Sequence, residues 1–121
     1  MSLRYQGFVI TGVANKQTFD TGIESNQAEP KKLIGLMVHL SGYAANRVQL
    51  YLENEKLADA YDYHFQSEAD LGAANFPYVT NRIGKIDLEK DIPLGQRVKA
   101  CIQCGATLKT MYGCYIYEVP D

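Results

Sequence analysis

The stretch Cys101-Ile102-Gln103-Cys104-Gly105 has the CxxCG spacing of a zinc knuckle, and Cys114 follows as a third thiol. Zinc takes four nitrogen or sulfur ligands, so His64 or His39 would have to complete such a site. Two points weigh against it. No second knuckle accompanies the first, and residues three apart on a strand point to opposite faces, so Cys101 and Cys104 reach one ion only if the chain bends at Ile102. A thioredoxin-like redox pair needs a helix start in an α/β setting, which the flanking residues do not provide. The favoured expectation is ordinary packed or half-exposed thiols and no cofactor, with zinc at Cys101, Cys104 and Cys114 as the alternative. Three cysteines, an odd number, fit a reducing compartment better than a disulfide framework.

A second group lies between residues 59 and 70, where Asp59, Asp62, Glu68 and Asp70 accompany Tyr61, Tyr63, His64 and Phe65. Carboxylates bind hard cations, and aromatic rings with acidic neighbours suit hydroxylated rings, so this segment is the candidate site for a carbohydrate or a divalent cation. Tyr61, Asp62, Tyr63, His64 and Asp70 are its named residues. The competing expectation is a strand with packed rings and solvated acids, because no carboxylate spacing matches a calcium loop. Phe76 and Tyr78 are the apolar anchors of the segment Gln66 to Asn81. Connections of that length usually serve as functional or contact sites when they are ordered.

No nucleophile elbow, phosphate-binding loop, dinucleotide motif or paired-histidine metal motif occurs, and enzyme activity is not expected. A net charge of -2, with no basic run longer than Lys31-Lys32, gives no electrostatic reason to bind nucleic acid. No apolar run approaches the ~20 residues of a membrane span, and the short stretch Phe8 to Ile10 is no signal-peptide core. A soluble, cytoplasmic protein is expected.

The elements that must position these residues read as strands. The chain has 121 residues, the size of one domain spanning 1–121, and is 46% hydrophobic and 21% charged. Its apolar periodicity is nearest to two, with Val, Ile, Thr, Tyr and Phe prominent. Strands are placed near 4–13, 16–21, 32–42, 46–54, 57–65, 82–91, 96–104 and 109–119. About eight strands predict an all-β, two-layer antiparallel sandwich, with jelly-roll topology ahead of an immunoglobulin-like sandwich or a closed barrel.

Local pattern refines this expectation. Leu33 to Leu40 is apolar on both alternating faces, which predicts a central strand covered on both sides. Val48, Leu50 and Leu52 alternate with Gln49, Tyr51 and Glu53, which predicts one solvated side. Ser41 to Asn46 reads as the hairpin between those two strands. Pro93-Leu94-Gly95 reads as a three-residue hairpin turn with Leu88 opposite Ala100 and Ile86 opposite Ile102, a register that also sets Glu89 against Lys99 and Asp91 against Arg97. Val98, Ala100, Ile102 and Cys104 are expected to face the core.

Nine tyrosines, four phenylalanines and no tryptophan leave at least one of Tyr112, Tyr115 and Tyr117 projecting outward, and tyrosine is enriched at contacts. The function expected is therefore a non-enzymatic module for protein–protein interaction or self-assembly, a homo-oligomer or a binder of another protein. Its contacts would come from the 66–81 segment, the 22–31 segment and exposed tyrosines. The alternative is the small-ligand module at 59–70.

Overall fold

A computed structural model describes residues 2–42, 44–67 and 84–120. Its strands are β1 (Ser2–Thr11), β2 (Gln17–Phe19), β3 (Ile23–Glu24), β4 (Lys31–Leu40), β5 (Arg47–Leu52), β6 (Glu55–Tyr61), β7 (Gln66–Ser67), β8 (Lys85–Ile92), β9 (Arg97–Gln103) and β10 (Thr110–Val119), with one 3-10 turn at Asp62–His64. The first sheet runs β1-β10-β4, with β8 and the two-residue β7 along the far side of β4. The second runs β9-β5-β6, with β2 and β3 sharing the free side of β9. Every pairing is antiparallel except β7 on β4. The expected all-β, two-layer sandwich is what forms, and among the described residues no helix is long and apolar enough to cross a membrane.

Period-two alternation explains the core. Leu36, Val38 and Leu40 from β4 meet Val48, Leu50 and Leu52 from β5, Val98, Ala100 and Ile102 from β9, and Met111 and Tyr115 from β10, all buried. Cys104 joins them as expected, while Cys101 does not. Burying each large aliphatic side chain is worth about 1.5–3 kcal/mol. The core is thus built from the inward half of every long strand, and the outward halves are left to define the protein's surfaces.

Two expected hairpins do not form. β4 and β5 lie in different sheets, so residues 41–46 cross the sandwich instead of turning within a sheet. The same holds for β8 and β9: Ile86 pairs with Leu36 of β4, and Ala100 pairs with Leu50 of β5. The turn chemistry itself is present, with Gly95 at φ 84° and the Gln96 N–H donating to the Pro93 carbonyl at 3.0 Å. However, the Gly95 N–H donates to the Ser25 carbonyl (2.8 Å) and the Ser25 N–H to the Gln96 carbonyl (3.2 Å), so the turn is clamped from outside while its strands separate. Two strands with apolar inner faces bury them equally well across a core as beside one another. The charges find other partners too: Glu89 meets Lys32 at 3.6 Å, and Arg97 meets Glu24 at 3.4 Å.

The sixth strand also stops earlier than expected, at Tyr61, because Asp62 turns inward. Its Oδ2 accepts from the Ala44 N–H (2.8 Å) and the Asn46 N–H (3.1 Å), and its own N–H donates to the Asn46 carbonyl (2.8 Å). These bonds fasten the 41–46 crossover to the 3-10 turn.

One side chain joins the two sheets through the core. The free edge of the second sheet is interrupted between β2 and β3, where Asp20 stands opposite Ala100. The Asp20 N–H donates to the Ala100 carbonyl at 2.9 Å. The Ala100 N–H donates to the Tyr115 hydroxyl (2.8 Å), and that hydroxyl donates to Asp20 Oδ2 (2.9 Å), reaching from the first sheet into the second. Asp20 Oδ2 also accepts from the Gly22 N–H at 2.8 Å, which holds the glycine at φ 79°. Burial pushes the Tyr115 hydroxyl far above its ordinary pKa, so it stays a neutral donor. Replacing Tyr115 by Phe leaves the Ala100 N–H buried without a partner and should cost about 1–3 kcal/mol. Urea denaturation should show the lowered midpoint at an unchanged slope, and a midpoint equal to wild type would count against the bridge.

Candidate functional site

The three thiols are held on three different surfaces. Cys101 is fully buried on the outer side of the second sheet, where its Sγ lies 3.6 Å from Gln49 Oε1. Cys104 points into the core. Cys114 is half-buried on β10, in the first sheet, opposite Met37. Strand geometry separates Cys101 from Cys104, and among the described residues no group of three His, Cys, Asp or Glu side chains is placed to hold a metal ion. Burial pushes the Cys101 thiol up to about 11 and raises that of Cys114 as well. In geometry these are two packed thiols and one half-buried one.

The 59–70 candidates are divided in the same way. Asp62 is spent on backbone N–H groups, and its Oδ1 has no hydrogen-bond partner among the described residues. Tyr61 is 43% exposed, with its hydroxyl taking a bond from Arg47 at 3.1 Å and the guanidinium lying 4.8 Å from its ring. Asp59 joins Arg47 (3.0 Å) and Lys56 (3.1 Å). Burial pushes the Asp59 carboxyl up, but the Lys56 ammonium and then Arg47 more than offset this, so it titrates below its ordinary value. The His64 ring nitrogen Nδ1 lies 3.2 Å from the Tyr61 carbonyl oxygen. Tyr63 contributes backbone to the 3-10 turn, and its side chain lies outside the described atoms. Asp70, Phe76 and Tyr78 lie outside the described residues. Asp59, Tyr61, His64 and Phe65 of this group line a cleft of about 580 Å³ between β6 and β8, closed on the far side by Lys85, Ile86 and Asp87.

The largest contrast on the molecule is between its two outer faces. On the second sheet, Gln17 Nε2 donates to Gln49 Oε1 (2.7 Å), Gln49 Nε2 donates to Gln103 Oε1 (3.0 Å), and Arg47, Asp59 and Lys56 form the ion cluster beside them. Gln49 is only 1% exposed although its face looks outward, so the solvated side expected of β5 is sealed by an amide ladder. Those polar groups satisfy one another.

The first sheet presents the opposite chemistry. Cross-strand pairing sets Val9 beside Tyr112 and His39, Cys114 beside Met37, and Tyr5 beside Ile116, all on the side away from the core. Val9 is 59% exposed, Tyr5 60%, Met37 45% and Tyr112 41%, with Leu3 further along the same row. The His39 and Tyr112 rings lie 6.4 Å apart. Tyr112 is the outward tyrosine the final strand had to supply, since Tyr115 and Tyr117 are buried. β4 is central as expected, between β10 and β8, but cover on both sides is not what the described residues provide: its inner side is buried and Met37 on its outer side is 45% exposed. The signal in the sequence was Leu33 to Leu40, a strand apolar on both faces.

No protein-family description, curated protein or solved structure matches the chain. Its functional reading therefore rests on these surfaces.

The thiol placement gives a direct check. Iodoacetamide applied to native protein near pH 8 should modify Cys114 at least tenfold faster than Cys101 or Cys104, with all three modified once the protein is unfolded. Peptide mass mapping reads the order, and fast native labelling of Cys101 would contradict the burial described.

Proposed function

We propose that this protein is a non-enzymatic contact module that works by covering the outer face of its first sheet with another protein surface. The observation that carries the reading is the contrast between the faces: one links its polar groups by their own hydrogen bonds and ion pairs around the exposed rings of Phe19 and Tyr61, the other exposes Tyr5, Val9, Met37 and Tyr112 without such a network. Contiguous exposed apolar surface of this kind marks a contact site, whereas scattered single residues do not. We infer further that the order β1-β10-β4-β8 facing β2/β3-β9-β5-β6 is a jelly roll, in which most connections cross between the layers while β5 and β6 turn within one. Such a fold leaves two broad outer faces, and here only one is linked across its strands by its own polar side chains.

Of the two contact segments expected, residues 22–31 serve the fold: Ser25 clamps the 93–96 turn, and its Oγ accepts from the Lys31 N–H at 2.9 Å. The 66–81 segment lies almost wholly outside the described residues. A second reading, ligand binding in the cleft between β6 and β8, is favoured by the cleft itself. It is weakened by the engagement of Asp59 and Tyr61 with Arg47.

Met37→Lys places a charge at the centre of the open face without touching the core. It should weaken association about tenfold or more, while the folding stability moves by no more than about 0.5 kcal/mol. Sedimentation across a concentration series, with thermal melting alongside, makes the comparison; unchanged association in a folded variant would remove the face from consideration. For the cleft, the expected result is no saturable binding of simple glycans or calcium by calorimetry. Binding that is abolished by Tyr61→Ala would shift the function to that site.

A further inference from the structure

Among the described residues the outer face of the first sheet ends at a strand that pairs on one side only, and the four edges of the sandwich are not treated alike. β6 carries the Arg47–Asp59–Lys56 ion cluster and a register shift between Leu50 and Tyr51 opposite it. β8 carries Lys85, Asp87, Glu89, Lys90 and Asp91, with a register shift at Leu33/Gly35 in its pairing with β4. The remaining edge of the second sheet is broken into β2 and β3, of three and two residues. Charge, bulges and shortness are the devices by which edges avoid pairing with other chains. β1 has the fewest of them. It runs ten residues, SLRYQGFVIT, with Arg4 as its one charge, no proline, and an unbroken register on β10.

The direction of its free backbone groups follows from the ladder. The Gly12 N–H donates to the Lys109 carbonyl at 3.1 Å, continuing the register in which Ile10 stands opposite Met111. In an antiparallel pair alternate residues turn both backbone groups toward the partner. Arg4, Gln6, Phe8 and Ile10 therefore bond to β10, and Leu3, Tyr5, Gly7, Val9 and Thr11 turn N–H and carbonyl outward. The same five residues belong to the open apolar face, so hydrogen bonds and apolar contact are offered on one line.

We propose that the occupant of this edge is the β1 strand of a second copy of this chain, paired antiparallel about a two-fold axis at Gly7. This inference rests on the contact reading above and names its partner. In that register Tyr5 of one copy lies opposite Val9 of the other and Leu3 opposite Thr11, an aromatic with β-branched pairing on the apolar side. Arg4 falls opposite Ile10, so the single charge never meets itself. The strand is thus self-complementary, the property a two-fold interface requires. The two first sheets would join into one continuous sheet with a shared apolar outer face.

Proline distinguishes this arrangement from any other, because it deletes one backbone donor. Tyr5→Pro removes an N–H that no residue of β10 uses, so the protomer should keep its fold and lose the dimer. Should that variant fail to fold, the pair Tyr5→Lys and Val9→Lys sets ammonium groups against each other on both sides of the axis while keeping every backbone donor. Sedimentation velocity over a concentration series should show a wild-type dimer whose dissociation constant rises at least a hundredfold in either folded variant. A dimer that survives both variants but is lost in Met37→Lys overturns strand pairing while leaving the face as the contact surface. A wild-type protein that stays monomeric up to about millimolar concentration overturns the inference, and the face reading then stands or falls with a different protein partner.

Discussion

Backbone donors and acceptors that leave water must be paired, and a sandwich of two open sheets leaves those along its edges to water, to side chains or to another chain. Much of the structure is arranged around this constraint. At the interrupted edge of the second sheet, Ala100 finds partners in the Asp20 N–H and the Tyr115 hydroxyl, so a side chain from one sheet completes the backbone bonding of the other. Because Tyr115 crosses the core to do so, the same bond fixes how the sheets lie against each other. Asp62 plays a comparable part for the 41–46 crossover, accepting from two backbone N–H groups that a strand would otherwise have paired.

The outer faces extend the same logic to side chains. Glutamine is an unusual choice for a buried position, yet Gln49 is satisfied by Gln17 on one side and Gln103 on the other. A strand surface built that way needs nothing further and gains little from being covered. The row Tyr5, Val9, Met37, Tyr112 has the reverse property, since its rings and methyl groups gain by leaving water. The molecule therefore carries one face linked by its own polar groups and one that is not, and the second runs out to the edge with a single charge and no bulge or break in its pairing with β10.

Much of the fold was legible in the sequence because strand periodicity depends on neighbours one and two residues away. The long strands and the inward set Val98, Ala100, Ile102 and Cys104 follow from alternation, and the centrality of β4 from a run that is apolar on both faces. Sheet membership did not, because alternation says which side of a strand is apolar and not which strand lies beside it. The Pro93-Leu94-Gly95 turn shows the limit: its local conformation was readable, whereas the clamp on it comes from Ser25, far away in sequence. The candidate site fared similarly. Side-chain types at 59–65 suggested ligands, but Arg47, distant in sequence and adjacent in the sheet, had already engaged Tyr61 and Asp59. The open face was partly legible, in the doubly apolar pattern of Leu33 to Leu40.

Residue-resolved amide hydrogen exchange at low and high protein concentration tests the central claim most directly. In dilute protein, the amides of Arg4, Gln6, Phe8 and Ile10 should be protected by β10 while those of Leu3, Tyr5, Gly7, Val9 and Thr11 exchange freely. At high concentration the second set should become protected with no change in the first. Protection that stays alternating at every concentration, with the outward amides always free, would contradict the account.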